Sequence, residues 1–205
     1  MIAVVDYGVG NLFSLASSLS FLGVKAEVTS DPARIAAADK VILPGVGAFG
    51  DAVQKLRGSG LFDTVKGEAL SGKPFLGICL GMQLLFEKSR ELGEFEGLGL
   101  LRGEVVPMKG VIPEGLDIPH IGWNALHFTK ETPLFSGIAE GERVYFVHSY
   151  FARGCEDSLA AETEYGVPLT AAVCRGNLMG CQFHPEKSGK AGLKILENFA
   201  KGSFV

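Results

Sequence analysis

The stretch PFLGICLGMQLLFE, residues 74–87, carries the pattern on which the fold assignment depends. At its centre, Gly77-Ile78-Cys79-Leu80-Gly81 follows an apolar run and precedes a stretch with helical spacing. Gly-x-Cys-x-Gly is the thiol form of the nucleophile elbow, a tight strand-to-helix turn in which a side chain beside the bend would clash. The same residues also suit a buried cysteine beside two turn glycines, because free cysteine usually packs as a small hydrophobic residue. The rest of the chain has to distinguish these two interpretations.

Outward from this turn, short apolar runs alternate with helical patterns through the first half of the chain. Strands are predicted at 2–6, 25–30, 40–44 and 74–79, helices at 11–23 and 82–91, and two helices separated by a turn over 52–72. Strands that are apolar throughout and separated by helices indicate a parallel sheet covered on both faces. We therefore expect an α/β fold with a mostly parallel central sheet flanked by helices.

The second half of the chain has a different pattern. Short strands separated by turn residues are predicted at 103–108, 120–128, 144–151, 169–177 and 178–184, before a closing helix at 188–200. This spacing is typical of antiparallel or mixed sheet. No repeat or Pro/Ser-rich linker separates the two halves, so we expect one domain over residues 1–205 with an antiparallel or mixed extension.

Composition excludes several classes of protein. The 205 residues carry a net charge of −4, so an overall basic surface for nucleic acid or anionic lipid is not expected. No segment approaches the ~20 apolar residues of a membrane span, and the N-terminus shows no signal-peptide pattern. The four cysteines match neither a zinc motif nor a disulfide framework. We expect a cytoplasmic protein with reduced cysteines and without a metal or cofactor.

Three glycine-rich turns directly follow predicted strands. They are DYGVGN at 6–11, PGVGAFG at 44–50 and GICLG at 77–81. Ligand sites in open α/β sheets lie beyond the carboxyl ends of the strands, so all three turns can gather at one edge. The second turn lacks the Lys-Ser/Thr pair of a phosphate loop and the spacing of a dinucleotide site. This placement favours the nucleophile elbow over a merely buried cysteine.

A thiol nucleophile needs a base, and His184 is the candidate. It stands in QFHPE, where Glu186 would lie on the same side of an extended chain and could orient the imidazole. The alternative is a surface ion pair at a strand end. His120 and His148 are interpreted as packed strand residues, and His127 as structural or exposed.

Acyl transfer at a thiol also needs an oxyanion hole, which backbone N–H groups usually supply. In an elbow, the residue after the nucleophile supplies one donor, here Leu80. The loop Pro44-Gly45-Val46-Gly47 follows another strand and could aim a second N–H at the same point. The alternative is a tight loop without a chemical role.

Three motifs in this order, LPGVGAFG, GICLGMQLLFE and QFHPEKSG, resemble the class I (triad) glutamine amidotransferase family over nearly the whole chain. DYGVGNL, PHIGWN and YFVHSY narrow the resemblance to the glutaminase subunits of imidazole glycerol phosphate synthase, from histidine biosynthesis. The resemblance implies a flavodoxin-like fold and no cofactor. It also implies that Cys79 attacks the side-chain amide of glutamine, that His184 moves the protons and that Glu186 orients it.

The resemblance assigns further roles. Leu80 and Val46 would supply the oxyanion hole, and the glutamine would be held by Gly47, Gln83, Ser149 and Tyr150. Ammonia would pass through a tunnel to a separate cyclase subunit with a (β/α)₈ barrel fold. The residues of this chain that would face the cyclase are Asn11, Trp123, Tyr145 and Lys187. The cyclase would form imidazole glycerol phosphate and an aminoimidazole carboxamide ribonucleotide.

Two other functions remain open at this level. One is a different thiol hydrolase of the same fold, either a peptidase or the glutaminase of another amidotransferase. The other is a catalytically silent binding partner that keeps the fold. A comparison of activity on free glutamine with activity on a peptide tests the first alternative. Thiol labelling with a glutamine analogue tests the second.

Overall fold

A computed structural model describes residues 1–204, so the last position of the expected domain, 205, lies outside the described residues. The strands are β1 (Ile2–Val5), β2 (Ala26–Thr29), β3 (Lys40–Leu43), β4 (Phe75–Ile78), β5 (Phe86–Ser89), β6 (Phe95–Glu96), β7 (Leu101–Pro107), β8 (His120–Ala125), β9 (His127–Phe128), β10 (Arg143–His148), β11 (Tyr150–Arg153), β12 (Leu159–Glu164), β13 (Pro168–Arg175) and β14 (Leu178–Cys181). The helices are α1 (Leu12–Phe21), α2 (Pro32–Ala37), α3 (Phe49–Gly58), α4 (Phe62–Leu70), α5 (Leu80–Gln83) and α6 (Gly189–Lys201). Short 3₁₀ turns cover Pro133–Phe135 and Pro185–Lys187.

The central sheet has eight strands in the order β2-β1-β3-β4-β14-β13-β12-β9. Its first five strands are parallel and follow the flavodoxin-like order, with β14 as the fifth. The last three add in antiparallel fashion. The expected α/β class, with a mostly parallel sheet and an antiparallel extension, is confirmed.

Strand β1 shows why the parallel strands are apolar throughout. Successive side chains of a strand point to opposite faces of the sheet. Ala3 and Val5 pack into the core on one face, whereas Ile2 and Val4 pack into the core on the other. All four residues are buried, so a polar residue in this strand would lose its water on either face.

The helix expected at 82–91 is wrong after Gln83. Helix α5 ends at Gln83, and Phe86–Ser89 forms β5, which pairs with β6 and β7 in a four-stranded sheet. Residues Phe86 and Ser89 are fully buried, and the Gly97 backbone approaches so closely that a Cβ there would lie 2.2 Å from the Phe86 oxygen. Tertiary pairing therefore satisfies backbone groups that a helix would have satisfied internally.

The predicted strand at 144–151 is divided between two sheets. Strand β10 pairs with β8 in a two-stranded sheet, and β11 pairs with β7 in the four-stranded sheet. Ser149 lies at the change of sheet. Two strands, β6 and β12, and the short helix α2 were not predicted, although Asp31 and Pro32 are ordinary signals for the start of a helix.

The topology brings the functional turns together. Strands β1, β3, β4 and β14 are neighbours and run parallel, so the turns that follow them lie at one edge of the sheet. These turns begin near residues 6, 44, 79 and 182. Within residues 1–204, no helix is long and apolar enough to cross a membrane.

Candidate active site

Cys79 lies at the bend between β4 and α5. Its backbone has φ 54° and ψ −111°, a left-handed conformation that is strained for a residue with a side chain. The strand pairing continues to the bend, because the Cys79 N–H donates to the Cys181 carbonyl at 2.7 Å. The thiol therefore stands at the end of a rigid strand, as an elbow requires.

The two flanking glycines are required by space. A Cβ on Gly81 would lie 1.8 Å from the Leu43 oxygen, and a Cβ on Gly77 would lie 2.6 Å from the Gly81 oxygen. Real Cβ atoms do not approach backbone atoms so closely. The clash expected from the Gly-x-Cys-x-Gly pattern is confirmed.

His184 and Glu186 form a buried pair beside the elbow. The His184 Nδ1 lies 2.8 Å from the Glu186 Oε1, and each side chain is 3% exposed. The expectation of an extended chain is wrong, since Pro185–Lys187 is a 3₁₀ turn. The turn, started by Pro185, brings the carboxylate back to the imidazole. The alternative of a surface ion pair does not fit this burial.

Electrostatics at His184 favour its charged form. Burial opposes charge on the imidazole, but the Cys79 sulfur and the Glu186 carboxylate outweigh it and raise the pKa of His184 to about 9. The imidazole therefore holds a proton at neutral pH when the sulfur beside it is negative. This pairing suits a thiolate nucleophile with an imidazolium that later donates its proton.

The two expected oxyanion donors lie on either side of the same cavity. Leu80 begins α5, and Val46 belongs to the loop after β3; both line the cavity that holds Cys79. Within residues 1–204, neither N–H donates a hydrogen bond to the protein. The loop is held in place by Tyr7, whose hydroxyl donates to the Pro44 carbonyl at 2.9 Å.

Gly45 packs this loop against the elbow. A Cβ there would lie 2.9 Å from the Gly81 nitrogen and 3.0 Å from the Leu80 Cβ. The glycine is therefore needed for close approach of the two turns that carry the expected oxyanion donors.

The cavity has a volume of about 390 Å³, enough for a small substrate. Its lining includes Cys79, His184 and all four residues expected to hold the substrate, Gly47, Gln83, Ser149 and Tyr150. A larger cavity of about 660 Å³ lies elsewhere, around Phe128 and Phe135, and contains none of the expected site residues.

Glu91 is a cavity residue that sequence reasoning missed. It lines the same cavity, and its Oε2 accepts a hydrogen bond from the Phe49 N–H at 2.7 Å. Burial raises the pKa of its carboxyl group, although the hydrogen bond from Phe49 opposes this. No local signal marked it, because Glu91 reaches the cavity only through the strand that replaces the expected helix.

His120 and His148 are packed strand residues, as expected. They face each other across β8 and β10, with 3.1 Å between His120 Nδ1 and His148 Nε2. Both are buried. His148 also lines the cavity, which the sequence did not indicate. His127 is exposed and pairs with Glu140, in agreement with its interpretation as structural or exposed.

The four expected partner residues fall into two places. Trp123 and Tyr145 face each other across β8 and β10 with 6.2 Å between ring centroids, and the Lys187 ammonium lies 5.9 Å from the Tyr145 ring. Asn11 precedes α1 and lines a narrow cavity behind His184 and Glu186. Trp123 is 51% exposed, so this cluster offers an aromatic surface close to the site.

The described residues contain no group of three or more His, Cys, Asp or Glu placed to hold a metal ion. The cavity instead brings together a thiol and an imidazole paired with a carboxylate, and it is also lined by Leu80 and Val46, whose N–H groups make no hydrogen bond within the described residues.

Solved structures share this fold. A structure described as glutamine amidotransferase aligns with a TM-score of 0.74 and 20% identity, covering 97% of this chain and 99% of that one. PurLQS from Thermotoga maritima aligns with a TM-score of 0.73 and 22% identity, covering 97% and 96%. At these identities, the likeness concerns the fold.

Sequence comparison is more specific. Residues 3–202 match the family described as Glutamine amidotransferase class-I. The chain is 51% identical over 202 residues to "Imidazole glycerol phosphate synthase subunit HisH" of Caldanaerobacter subterraneus subsp. tengcongensis, covering 98% of each chain. It is 52% identical over 204 residues to the protein of the same name from Sulfurimonas denitrificans, again covering 98% of each. The chain therefore belongs to the class I glutamine amidotransferase family, in the group of imidazole glycerol phosphate synthase HisH subunits.

Proposed function

We propose that this chain hydrolyses glutamine to glutamate and ammonia and delivers the ammonia to a cyclase subunit of imidazole glycerol phosphate synthase, in histidine biosynthesis. The observation that carries the proposal is the buried Cys79 elbow beside the 2.8 Å His184–Glu186 pair, in a chain about half identical to HisH subunits. We further propose that residues 1–205 act as a single glutaminase domain in the cytoplasm.

In the first half-reaction, the Cys79 thiolate attacks the side-chain amide carbon of glutamine. The negative charge passes to the amide oxygen, which the N–H groups of Leu80 and Val46 stabilise. His184 then gives its proton to the leaving nitrogen, and the C–N bond breaks. Ammonia leaves, and a γ-glutamyl thioester remains on Cys79.

In the second half-reaction, neutral His184 takes a proton from a water molecule, which attacks the thioester carbon. The C–S bond breaks, and glutamate leaves together with the regenerated thiolate–imidazolium pair. Glu186 keeps the imidazole oriented through Nδ1 and stabilises its charge in both halves. The overall balance is glutamine plus water to glutamate plus ammonia.

The cavity suits a free amino acid. Glu91 provides a carboxylate for an α-ammonium group, and Gly47, Gln83, Ser149 and Tyr150 surround the remaining space. A glutamine inside a peptide has no α-ammonium group to pair with Glu91. Hydrolysis of free glutamine, with at most slow hydrolysis of a glutaminyl peptide, is therefore the expected specificity.

The cyclase, a (β/α)₈ barrel by resemblance, would dock on the surface that carries Asn11, Trp123, Tyr145 and Lys187. Support comes from the exposed Trp123–Tyr145–Lys187 cluster and from the position of Asn11 behind the His184–Glu186 pair. In the cyclase subunit, ammonia would react with a phosphoribulosyl-formimino aminoimidazole carboxamide ribonucleotide. The products would be imidazole glycerol phosphate and an aminoimidazole carboxamide ribonucleotide.

Docking would also control the oxyanion hole. A Gly45–Val46 peptide that presents its carbonyl in the isolated subunit and its N–H in the assembly would keep glutamine from being hydrolysed without an acceptor. One missing oxyanion donor costs ~10²–10³ in rate, which is enough to keep the isolated subunit nearly inactive.

The test measures glutamate formation by the chain alone, with the cyclase, and with the cyclase plus its nucleotide ligand. We expect the rate to rise about 10²-fold or more from the first to the third condition. An isolated chain that already reaches the full rate would exclude the gating step. No glutamate in any condition, together with no labelling of Cys79 by an electrophilic glutamine analogue, would indicate a silent binding partner.

A further inference from the structure

Gln182 is a fully buried amide next to the nucleophile. It follows β14 and is 0% exposed. Its backbone N–H donates to the Ala171 carbonyl at 2.8 Å, which fixes its main chain in the sheet. Its side-chain Nε2 lies 3.7 Å from the Cys79 sulfur, and its Oε1 accepts from Gln83 Nε2 at 2.9 Å. A buried amide in this position contacts the reacting atom directly.

The neighbouring groups determine which end of the Gln182 amide faces the sulfur. Gln83 Nε2 also donates to the Tyr150 carbonyl at 3.2 Å, and a carbonyl can only accept. The Gln83 nitrogen therefore faces both Tyr150 and Gln182. Since that nitrogen can only donate, the Gln182 atom opposite it must be the oxygen. The Gln182 N–H group is left to point at the sulfur.

A fixed N–H donor at this place has a chemical consequence. Hydrogen bonds to charged groups are stronger than neutral ones, and a site without water strengthens them further. The donor therefore favours the negatively charged sulfur and restricts the direction in which it points. The interaction of His184 with the Cys79 sulfur likewise favours a positive imidazole beside a negative sulfur.

We propose that Gln182 is a positioning residue for the nucleophile: its side-chain N–H holds the Cys79 sulfur in the attacking direction and stabilises the thiolate. Gln83, besides lining the substrate cavity, fixes the orientation of the Gln182 amide. The proposal deepens the proposed glutaminase function and rests on it for the role in glutamine turnover. The effect on the sulfur itself does not depend on glutamine.

The first test measures the rate at which iodoacetamide alkylates Cys79, followed on the Cys79 peptide by mass spectrometry. Gln182→Met keeps the length of the side chain and removes the N–H donor. We expect its alkylation rate at pH 7 to fall about tenfold, since hydrogen bonds to charged groups contribute about that much. Gln54→Leu, on the exposed face of α3, is the control and should match the wild type.

A second variant tests the orientation argument. Gln83→Met removes the donor that fixes the Gln182 amide, although iodoacetamide itself needs no glutamine subsite. We expect slower alkylation in this variant as well. In turnover by the assembly with the cyclase, Gln182→Met should lower kcat about tenfold and change KM less than twofold, because the sulfur and not the cavity wall has lost a contact.

Folded Gln182→Met and Gln83→Met proteins with alkylation profiles identical to wild type would overturn the proposal. If the variants do not fold, the wild type still provides a test: the NMR signals of the Gln182 side-chain amide protons should shift when the Cys79 sulfur is alkylated, and unchanged signals would overturn the proposal. Absence of glutamine hydrolysis by the wild type would refute the proposed function alone, because the alkylation measurement stands without it.

Discussion

Two histidines on the wall of one cavity carry opposite protonation preferences. His184 and His148 both line the space around Cys79, and both are buried. The pKa of His184 is raised to about 9, whereas the pKa of His148 is lowered to about 4. Burial opposes charge on both imidazoles, so burial does not explain the difference.

The partners of each ring explain it. His184 faces the Glu186 carboxylate and the Cys79 sulfur, two groups that favour a positive imidazole. His148 Nδ1 donates to the Tyr150 carbonyl at 2.9 Å, and its Nε2 faces the ring of His120. Burial is the main reason that the pKa of His148 falls; the carbonyl opposes the fall, and the neighbouring His120 and His184 add to it. In this cavity the nearby anions decide which imidazole holds a proton.

The largest effect should come from removing the sulfur. Cys79→Ala should lower glutamine hydrolysis by ~10⁴-fold or more, because loss of a nucleophile disables the whole catalytic unit. The fold, cyclase binding and the cyclase reaction with free ammonia should persist. NMR titration of the variant should also show a lower pKa for His184 than in wild type, since the sulfur that helps to raise it is gone. Cys174→Ala, at a half-buried cysteine away from the site, is the control. Near-wild-type glutamate release by Cys79→Ala would refute the assignment of the nucleophile.

The next effect separates the base from the carboxylate that orients it. His184→Ala should be nearly as damaging as Cys79→Ala, whereas Glu186→Gln should retain roughly 10²-fold more activity, as the carboxylate of a catalytic triad usually costs less to remove. The His184→Ala/Glu186→Gln double variant should lose little beyond His184→Ala. Steady-state glutamate release measures all three, and multiplicative losses would argue against a coupled pair.

The neutral histidine should make the fold sensitive to acid. Below pH 6.5 the unfolded chain protonates His148, whereas the folded chain resists protonation until about pH 4. Its contribution to stability is therefore complete above pH 6.5 and falls by about 3 kcal/mol as the pH drops to 4. Urea unfolding at pH 7 and pH 4 should show a smaller acid loss in His148→Gln than in wild type. Equal losses in both proteins would contradict a neutral buried His148.

The smallest effect concerns the alkaline limit of activity. Above about pH 9, His184 loses the proton that the leaving ammonia needs, so kcat/KM should decline there. In Glu186→Gln the decline should begin about one pH unit lower, because a neutral amide supports the imidazolium less. A pH profile between 6 and 10.5 tests this, and an unshifted alkaline limb would show that Glu186 does not set the charge of His184.

Interactions within one short segment could be predicted from the sequence, whereas pairing between distant segments could not. The Cys79 turn was recognised because Gly77 and Gly81 are required by clashes within one short segment. Strands β1, β3 and β4 were found because buried parallel strands are apolar throughout. The prediction of a helix at 82–91 was wrong because β5 pairs with β6 and β7, and this pairing overrides the helical spacing of the apolar residues.

The sequence by itself determined the local chemistry: a cysteine on a glycine-flanked bend, and a histidine two residues from a glutamate. Only the tertiary structure decided what acts on those groups from a distance. Gln182 reaches the Cys79 sulfur because β14 lies beside β4, and Glu91 reaches the cavity because β5 is a strand. His148 is neutral mainly because it is buried, and β8 places a second imidazole beside it. Contacts between residues far apart in the chain depend on which strands pair. The hydrophobic pattern of one strand fits many possible partner strands, so it does not specify the pairing.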